Sequence, residues 1–251
     1  MTLVAAVLAL FGLVIGSFLN VVIHRVPLGE SVVWPSSRCP ECGAAISPRD
    51  NVPVLSYLLL AGRCRSCKTA ISARYPAVEA STGLLFGAAA YRFGLGVELL
   101  AALVLISVLI TLSGTDLEYR LLPNVIVVPA ALAGFGLSVL AQPSAWWVYL
   151  LSALAVGGGL LALALLYPSG MGMGDVKMGA MLGTFLGPYA ALAVFLGALA
   201  GALASGGLML AGKLRRRSAL PFGVFLALGG LVVLFAGAEL WGLYLRTMGV
   251  G

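Results

Sequence analysis

Long uncharged apolar runs dominate this chain and limit what it can fold into. A helix needs about 20 apolar residues to cross a bilayer. Eight segments approach that length: 2–24, 77–94, 97–115, 123–141, 145–166, 175–188, 189–211 and 220–244. Only 10% of the 251 residues are charged, whereas soluble domains average about 25%. The sequence therefore predicts an all-α polytopic membrane protein with about eight transmembrane helices.

The sixth and seventh segments are separated by inference. Residues 178–212 carry no charge and are too long for one span, and Gly187-Pro188 is a natural break between two helices. The first apolar run has no basic residues ahead of it and no evident cleavage site, so we interpret it as a retained span. We find no convincing internal sequence repeat.

The basic residues predict the orientation of the spans. With eight spans, thirteen of the fifteen basic residues fall on one side of the membrane, and such a bias marks the cytoplasmic side. They are Arg25, Arg38, Arg49, Arg63, Arg65, Lys68, Arg74, Arg120, Lys177, Lys213, Arg215, Arg216 and Arg217. Because the basic residues sit in loops between spans, the net charge of +6 does not indicate a nucleic-acid partner.

A cysteine-containing polar loop at 25–76 interrupts the apolar sequence and separates the first span, 1–24, from a membrane core at 77–251. It contains Cys39-Pro-Glu-Cys42 and Cys64-Arg-Ser-Cys67, with 21 residues between the pairs. Two such pairs are typical of a structural Cys₄ zinc site. Disulfide or redox chemistry is the alternative, which the reducing cytoplasm disfavours. A loop this small needs a metal to fold, so we predict a zinc-stapled cytoplasmic domain.

Two aspartates are the candidate catalytic groups, in a chain with only nine acidic residues. Asp116 ends the third span and Asp175 begins the sixth, so both lie at the cytoplasmic ends of their spans in this topology. Paired carboxylates in a low-dielectric setting are the parts of an aspartic protease, which needs no metal. The alternative is helix capping, which suits Asp175 at a helix start better than Asp116 at a helix end.

Four neighbouring residues are candidates for a supporting role. Gly172 and Gly174 are expected to take unusual φ values and let an extended substrate approach Asp175. Lys177 is an interface anchor that can tune the nearby acid. Glu118, placed in the loop after Asp116, is predicted to be solvated rather than catalytic.

The alternative of another class is a proton-coupled transporter or a zinc-sensing membrane protein, in which isolated aspartates serve as a proton relay. That function predicts acids near the bilayer midplane, whereas these acids lie at the ends of apolar segments.

Six motifs in order resemble the type IV prepilin peptidases, bacterial inner-membrane aspartic proteases of the Gly-x-Gly-Asp type. The resemblance covers nearly the whole chain. The motifs are Gly16–Pro27, the two cysteine pairs, Ile71–Glu79, Asp116-Leu-Glu-Tyr-Arg-Leu-Leu-Pro-Asn124, Gly170–Lys177 with Gly172-Met-Gly-Asp175 at its core, and Leu220-Pro-Phe-Gly-Val-Phe225. The chain departs from the family pattern at Met173 and Val176, where aromatics are frequent, and at Val224, where a second proline is usual.

The resemblance implies an activity, a substrate and a second reaction. It implies that Asp116 and Asp175 cut the short basic leader from type IV prepilins or type II secretion pseudopilins, after a glycine and on the cytoplasmic side. Family members with the cysteine loop commonly also methylate the new N-terminus from S-adenosylmethionine. In the alternative, the chain is a peptidase only and the Cys₄ loop is a substrate dock. The sequence shows no methyl-donor site and does not give the oligomeric state.

Overall fold

The computed structural model describes residues 1–168, 170–212 and 220–248. The regular secondary structure of these ranges is helical, and the chain divides into two compact units, 1–95 and 96–251. Residues 169, 213–219 and 249–251 lie outside the described ranges. The basic run from Lys213 to Arg217, which contributes to the predicted orientation, is therefore among the residues not described.

The first unit pairs two long helices across a polar contact. Its helices are α1 (Thr2–Arg25), the short α2 (Leu55–Leu59) and α3 (Arg74–Phe93). A Cβ on Gly16 would stand 2.6 Å from Glu79 Cα, so α1 and α3 touch at their backbones there. Asn20 donates from Nδ2 to the carbonyl of Tyr75 at 3.1 Å. Glu79 accepts the N–H of Val54 at 2.7 Å, which fastens the polar loop to α3.

The described residues of the second unit form six α-helices, whose ends follow proline and glycine signals. They are α4 (Val97–Tyr119), α5 (Asn124–Ala141), α6 (Trp146–Leu166), α7 (Met173–Leu186), α8 (Ala190–Leu210) and α9 (Phe222–Thr247). Pro123 and Pro221 stand at the N-caps of α5 and α9. The predicted break at Gly187 is confirmed, because α7 ends at Leu186 and Gly187 has φ 55°.

Helix α7 lies inside the second unit. It packs against α5, α6 and α9, and it brings Met178, Met181 and Leu182 into the main apolar core. Ser138 on α5 donates to the carbonyl of Thr184 on α7 at 2.8 Å, a hydrogen bond that joins the two helices inside the core.

The all-α polytopic fold is confirmed, and the number of spans needs correction. Each of the eight predicted apolar segments corresponds to one helix, but in the described part of the chain six segments are long and apolar enough to cross a membrane. Helix α3 is not among them, since it carries Arg74, Glu79 and Arg92. Helices α7 and α8 fall within one apolar segment, Met173–Leu210, because the short turn Gly187–Tyr189 joins them without a gap. Alone, the 14 residues of α7 are about 21 Å long, less than a bilayer core.

Close helix contact at Gly183 gives a test of the fold. A Cβ there would fall on the backbone of Ala153 and Ser152 in α6. We expect Gly183→Ala to lower the free energy of unfolding by about 1–3 kcal/mol, because two backbones must separate. A Cβ on Gly158 would meet nothing within 4 Å, so Gly158→Ala should be neutral or stabilise by up to about 1 kcal/mol. Thermal unfolding in detergent measures both, and equal midpoints would contradict the α6–α7 packing.

Candidate active site and metal site

Asp116 lies in the last turn of α4, and its side chain is only 6% exposed. Its Oδ2 accepts the backbone N–H of Val224, in the first turn of α9, at 3.3 Å. Gly223 also approaches this carboxylate closely, since a Cβ there would stand 2.8 Å from Oδ2. The partially positive N-terminal end of one helix therefore faces an acid at the partially negative end of another.

Asp175 is the third residue of α7 and is half-buried. Its Oδ2 accepts the N–H of Gly172 at 3.2 Å, so the helix-capping contact considered as an alternative is present. It is also close enough to Asp116 for the two charges to interact. Helix capping accounts for the hydrogen bond to one oxygen of Asp175. It does not account for Asp116, a buried acid at the C-terminal end of α4.

The segment between α4 and α5 packs against the starts of α7 and α9. Leu122 lies against two glycines, because a Cβ on either Gly174 or Gly223 would stand 3.0 Å from a Leu122 side-chain carbon. Lys177 on α7 donates from Nζ to Oδ1 of Asn124 at 2.9 Å. Leu122 thus lies beside Gly174, the residue before Asp175, and beside Gly223, which approaches Asp116. This shared contact fixes the two helix ends relative to one another.

An apolar layer lies one turn further along each helix. Leu112, Met178 and Leu226 are each 0% exposed and belong to one core cluster. Leu112 lies four residues before Asp116, Met178 three residues after Asp175, and Leu226 two residues after Val224. Each is on the interior side of its polar neighbour. The carboxylates therefore lie where a polar end of the bundle meets a dry interior, and the low dielectric there strengthens electrostatic interactions.

Two expectations about the supporting residues are wrong. Glu118 is not in a loop, because α4 continues to Tyr119 and places this exposed side chain in its last turn. Gly172 has φ −83° and ψ 152°, and Gly174 is helical, so neither glycine has the unusual φ that was expected. The close approach of Gly174 to the Leu122 side chain still explains a glycine at this position, since an added Cβ would stand 3.0 Å from Leu122.

In the first unit, the four cysteines come together. All four Sγ atoms lie within 4.8 Å of one another, and those of Cys39 and Cys67 are 3.8 Å apart. A tetrahedral site with metal–sulfur bonds of about 2.3 Å has sulfur–sulfur distances of about 3.8 Å. The cluster can therefore hold one metal ion.

Each cysteine pair lies in the same small turn, and the sequence contains a repeat that we missed. Residues 38–47 and 63–72 are identical at six of ten positions. In both, the first cysteine N–H donates to a carbonyl five residues later, at 2.9 Å. Gly43 and Lys68 occupy equivalent positions with φ 68° and 61°. Aligning the sequence with itself at an offset of 25 residues, the spacing between Cys39 and Cys64, would have shown the repeat.

The protonation of these thiols favours a cation among them. Hydrogen bonds from the Thr69 side chain and backbone lower the pKa of Cys67 to about 6. The Ala44 N–H favours the thiolate of Cys42, but the neighbouring thiols, Cys39 first, raise the pKa of Cys42 to about 11. Four clustered thiols thus resist ionising together, and a divalent cation removes that repulsion.

Comparison with known proteins gives the family. Residues 103–206 match the type IV leader peptidase family, and residues 10–93 match the bacterial peptidase A24 N-terminal domain. A Bacillus subtilis protein named prepilin leader peptidase/N-methyltransferase is 37% identical over 96% of this chain and 98% of its own length.

The chain belongs to the type IV leader peptidase family.

Two further relatives carry the same name. One from Pseudomonas aeruginosa is 37% identical over 96% of this chain and 93% of its own length. One from Myxococcus xanthus is 46% identical over 77% of this chain and 59% of its own length. No solved structure matches the chain.

In this leader peptidase family member, the predicted site residues fall into two groups. Asp116, Asp175, Gly174 and Lys177 belong to one neighbourhood of the second unit, and the four cysteines to one cluster of the first. Sequence reasoning missed the supporting roles of Leu122, Asn124, Gly223 and Val224. All four lie inside the quoted motifs, but no pattern in the sequence says which helix ends meet.

The equivalent positions Gly43 and Lys68 provide a matched test of the metal site. We expect Gly43→Ala to cost about 1–2 kcal/mol, because a Cβ is strained in the left-handed conformation. Lys68→Ala adds no such strain, because Lys68 already carries a Cβ at φ 61°. Metal release during chelator titration should therefore occur at several-fold lower chelator concentration for Gly43→Ala alone, since metal binding and loop folding are coupled. Identical release curves would argue against a shared metal site.

Proposed function

We propose that this protein is a membrane-embedded aspartic endopeptidase that removes leader peptides from type IV prepilins and type II secretion pseudopilins. One observation carries the chemistry: two carboxylates from different helices lie at the same end of the second unit, beside Gly174 and Gly223, which both meet Leu122, and next to a buried apolar layer. The relatives' name, prepilin leader peptidase/N-methyltransferase, supports the substrate class.

In the proposed mechanism Asp116 and Asp175 share one proton and flank a water molecule. The ionised carboxylate takes a proton from the water as its oxygen attacks the scissile carbonyl carbon. The protonated carboxyl donates to the carbonyl oxygen, giving a neutral tetrahedral intermediate. The carboxyl that took the water proton then gives it to the amide nitrogen as the C–N bond breaks. The other carboxylate takes a proton from a hydroxyl of the intermediate, which becomes the carboxylic acid product, and the dyad returns to its starting state. Two close carboxylates titrate as a pair, which keeps one proton available for this work.

The active site is proposed to face the cytoplasm of a bacterial inner membrane. The second unit has seven basic residues, and six of them occur in the sequence next to an aspartate or between α8 and α9. Arg120 and Lys177 follow Asp116 and Asp175 closely, and the run from Lys213 to Arg217 comes shortly before α9, whose first turn contacts Asp116. Arg246 is at the opposite end of α9. This bias marks a cytoplasmic end.

The metal in the cysteine loop is proposed to be zinc with a structural role, bound by Cys39, Cys42, Cys64 and Cys67. Four thiolates leave no open coordination position, so a catalytic role in proteolysis does not fit. The proposed domains are the first transmembrane helix at 1–24, the zinc-binding loop at 25–76 and the peptidase core at 77–251.

A second activity, N-methylation of the new N-terminus, is proposed from the relatives' name. S-adenosylmethionine would supply the methyl group, and no residue of this chain is assigned to its binding. The competing proposal is a peptidase only, with the cysteine loop as a substrate dock. A proton-coupled transporter or zinc sensor fits less well, because Asp116 and Asp175 lie in terminal turns of their helices.

The paired-aspartate mechanism predicts that both acids are essential. We expect Asp116→Asn and Asp175→Asn each to reduce leader cleavage at least about 100-fold, because each removes one proton-transfer group. Glu118→Gln is the matched control, since Glu118 is an exposed acid in the same helical turn as Asp116. Cleavage of a purified prepilin in liposomes measures all three, with thermal unfolding as the check that each variant is folded.

Three results would count against this assignment. Near-normal cleavage by either folded aspartate variant would remove the two-carboxylate mechanism. Loss of cleavage in Glu118→Gln alone would move the function to that residue. Failure of the wild type to cleave any prepilin would reopen the transporter or sensor function.

Metal removal separates the two roles proposed for the loop. We expect about one zinc ion per chain, and we expect Cys39→Ser with Cys64→Ser to abolish its binding, because each cysteine pair loses a ligand. If the loop serves methylation, the variant should still cleave prepilin but transfer no methyl group to a pre-cleaved peptide. If the loop is a substrate dock, the KM for prepilin should rise instead, and the wild type should show no methyl transfer.

A further inference from the structure

Two polar side chains of the first unit, Glu79 and Asn20, are buried between α1 and α3. We propose that they form a binding site for a primary ammonium group. Both reactants of the proposed N-methylation carry such a group, namely the new N-terminus of the cleaved peptide and the amino-acid end of S-adenosylmethionine. The inference rests on that proposed second activity and gives it a place in the first unit.

Asn20 provides a hydrogen-bond acceptor without a donor. Its Nδ2 donates to the carbonyls of Gly16 at 3.3 Å and Tyr75 at 3.1 Å, and these two bonds fix the orientation of the amide. Oδ1 is buried and has no hydrogen-bond partner within the described part of the chain. Because a buried oxygen without a donor is costly, such an atom indicates a place where a donor arrives from outside the fold.

Glu79 provides a negative charge without a cation. It is only 8% exposed, and its Oε2 accepts the N–H of Val54 at 2.7 Å. Among the described residues, no lysine or arginine forms a salt bridge with it. Arg74, five residues earlier on α3, places its guanidinium carbon 4.9 Å from the centre of the Tyr75 ring. Since a buried carboxylate is normally paired, Glu79 is suited to a cation that a ligand brings.

The two side chains lean toward each other. Helices α1 and α3 are antiparallel here, because Gly16 meets Glu79 while Asn20, one turn later, meets Tyr75, one turn before Glu79. Side chains of a helix tilt toward its N-terminus, so Asn20 tilts toward the level of Glu79 and Glu79 toward the level of Asn20. An ammonium group has one charge and three N–H donors, which suit one carboxylate and one amide oxygen. A metal cation such as Ca²⁺ needs at least six oxygen ligands.

A strained residue closes this site. Val54 has φ 60° and ψ −48°, a conformation that is unfavourable for a β-branched residue, and its N–H is the one that Glu79 holds. An ammonium N–H can replace the Val54 N–H at Oε2, which lets the backbone at Val54 relax. Strain in the closed form therefore lowers the energy needed to open it, and this explains how a ligand reaches groups that are almost fully buried.

The experiment measures ligand binding to the full-length protein in detergent by isothermal titration calorimetry. The probes are a pre-cleaved prepilin peptide with a free α-amino group, its N-acetylated copy, and S-adenosylhomocysteine, which has an α-amino group but no methyl group to transfer. For at least one amine-bearing probe, we expect Glu79→Gln to weaken binding about 10- to 100-fold and Asn20→Ala about three- to tenfold, the effects of a charged and a neutral hydrogen bond. Glu30→Gln, which removes an exposed acid of the same unit, should bind as the wild type does.

The N-acetylated peptide separates ligand binding from a structural effect. It has no ammonium group, so the variants and the wild type should bind it equally, and a matching loss of its affinity in Glu79→Gln would overturn the proposal. Unchanged affinity of folded Glu79→Gln for both amine-bearing probes, or no binding of either by the wild type, would also overturn it. Loss for the peptide alone assigns the site to the methyl acceptor, and loss for S-adenosylhomocysteine alone assigns it to the methyl donor. If Glu79→Gln does not fold, Asn20→Ala decides by the same criteria.

Methyl transfer from S-adenosylmethionine to the free-amine peptide is measured alongside. No transfer by the wild type means that the proposed second activity has failed, while the binding results still decide the ammonium site. Transfer by the wild type beside normal binding by Glu79→Gln means that only this inference has failed.

Discussion

A carboxylate buried at the wrong end of a helix is the constraint on which the second unit depends. Asp116 lies at the C-terminal end of α4 with almost no exposure, a placement that both desolvation and the helix dipole disfavour. The Val224 N–H at the start of α9 offsets part of this cost. Leu122 then packs across the starts of α7 and α9, so the position of Asp175 follows from the same arrangement.

Glycine-mediated contact holds the helices together in both units. Lipid tails solvate apolar side chains as well as a neighbouring helix does, so helices associate in a bilayer mainly through close packing and polar contacts. Gly16 brings α1 to the backbone of α3, and Gly183 does the same for α7 on α6. The polar loop of the first unit instead brings four cysteines together, where a metal ion could be held and would stabilise the folded loop.

Much of the secondary structure could be predicted from the sequence, because hydropathy and proline-glycine breaks are local signals. The eight helices and the break at Gly187 follow from them. The number of spans does not, because the predicted sixth segment, 175–188, has only 14 residues and the charges of α3 lower its hydropathy. The end of α4 was placed too early for a similar reason: polar residues ended the apolar run at residue 115, but the helix continues to Tyr119.

In the candidate sites too, local features were predictable from the sequence and contacts between distant segments were not. Cysteine spacing predicts a metal cluster because the ligands come from two short turns. The contacts of Asp116 depend on helices far apart in sequence, so the role of α9 was not predictable from pattern. The glycines beside Asp175 show the limit of reasoning from residue type, since Gly172 has an ordinary φ.

The contact between Asp116 and Val224 also sets an order of events during synthesis. These residues are separated by 108 positions, so both aspartates and most of the membrane helices leave the ribosome before α9 does. Until α9 is made and its first turn meets α4, the carboxylate of Asp116 lacks the Val224 N–H. The nascent chain therefore carries both acids before the contact that supports Asp116 can form.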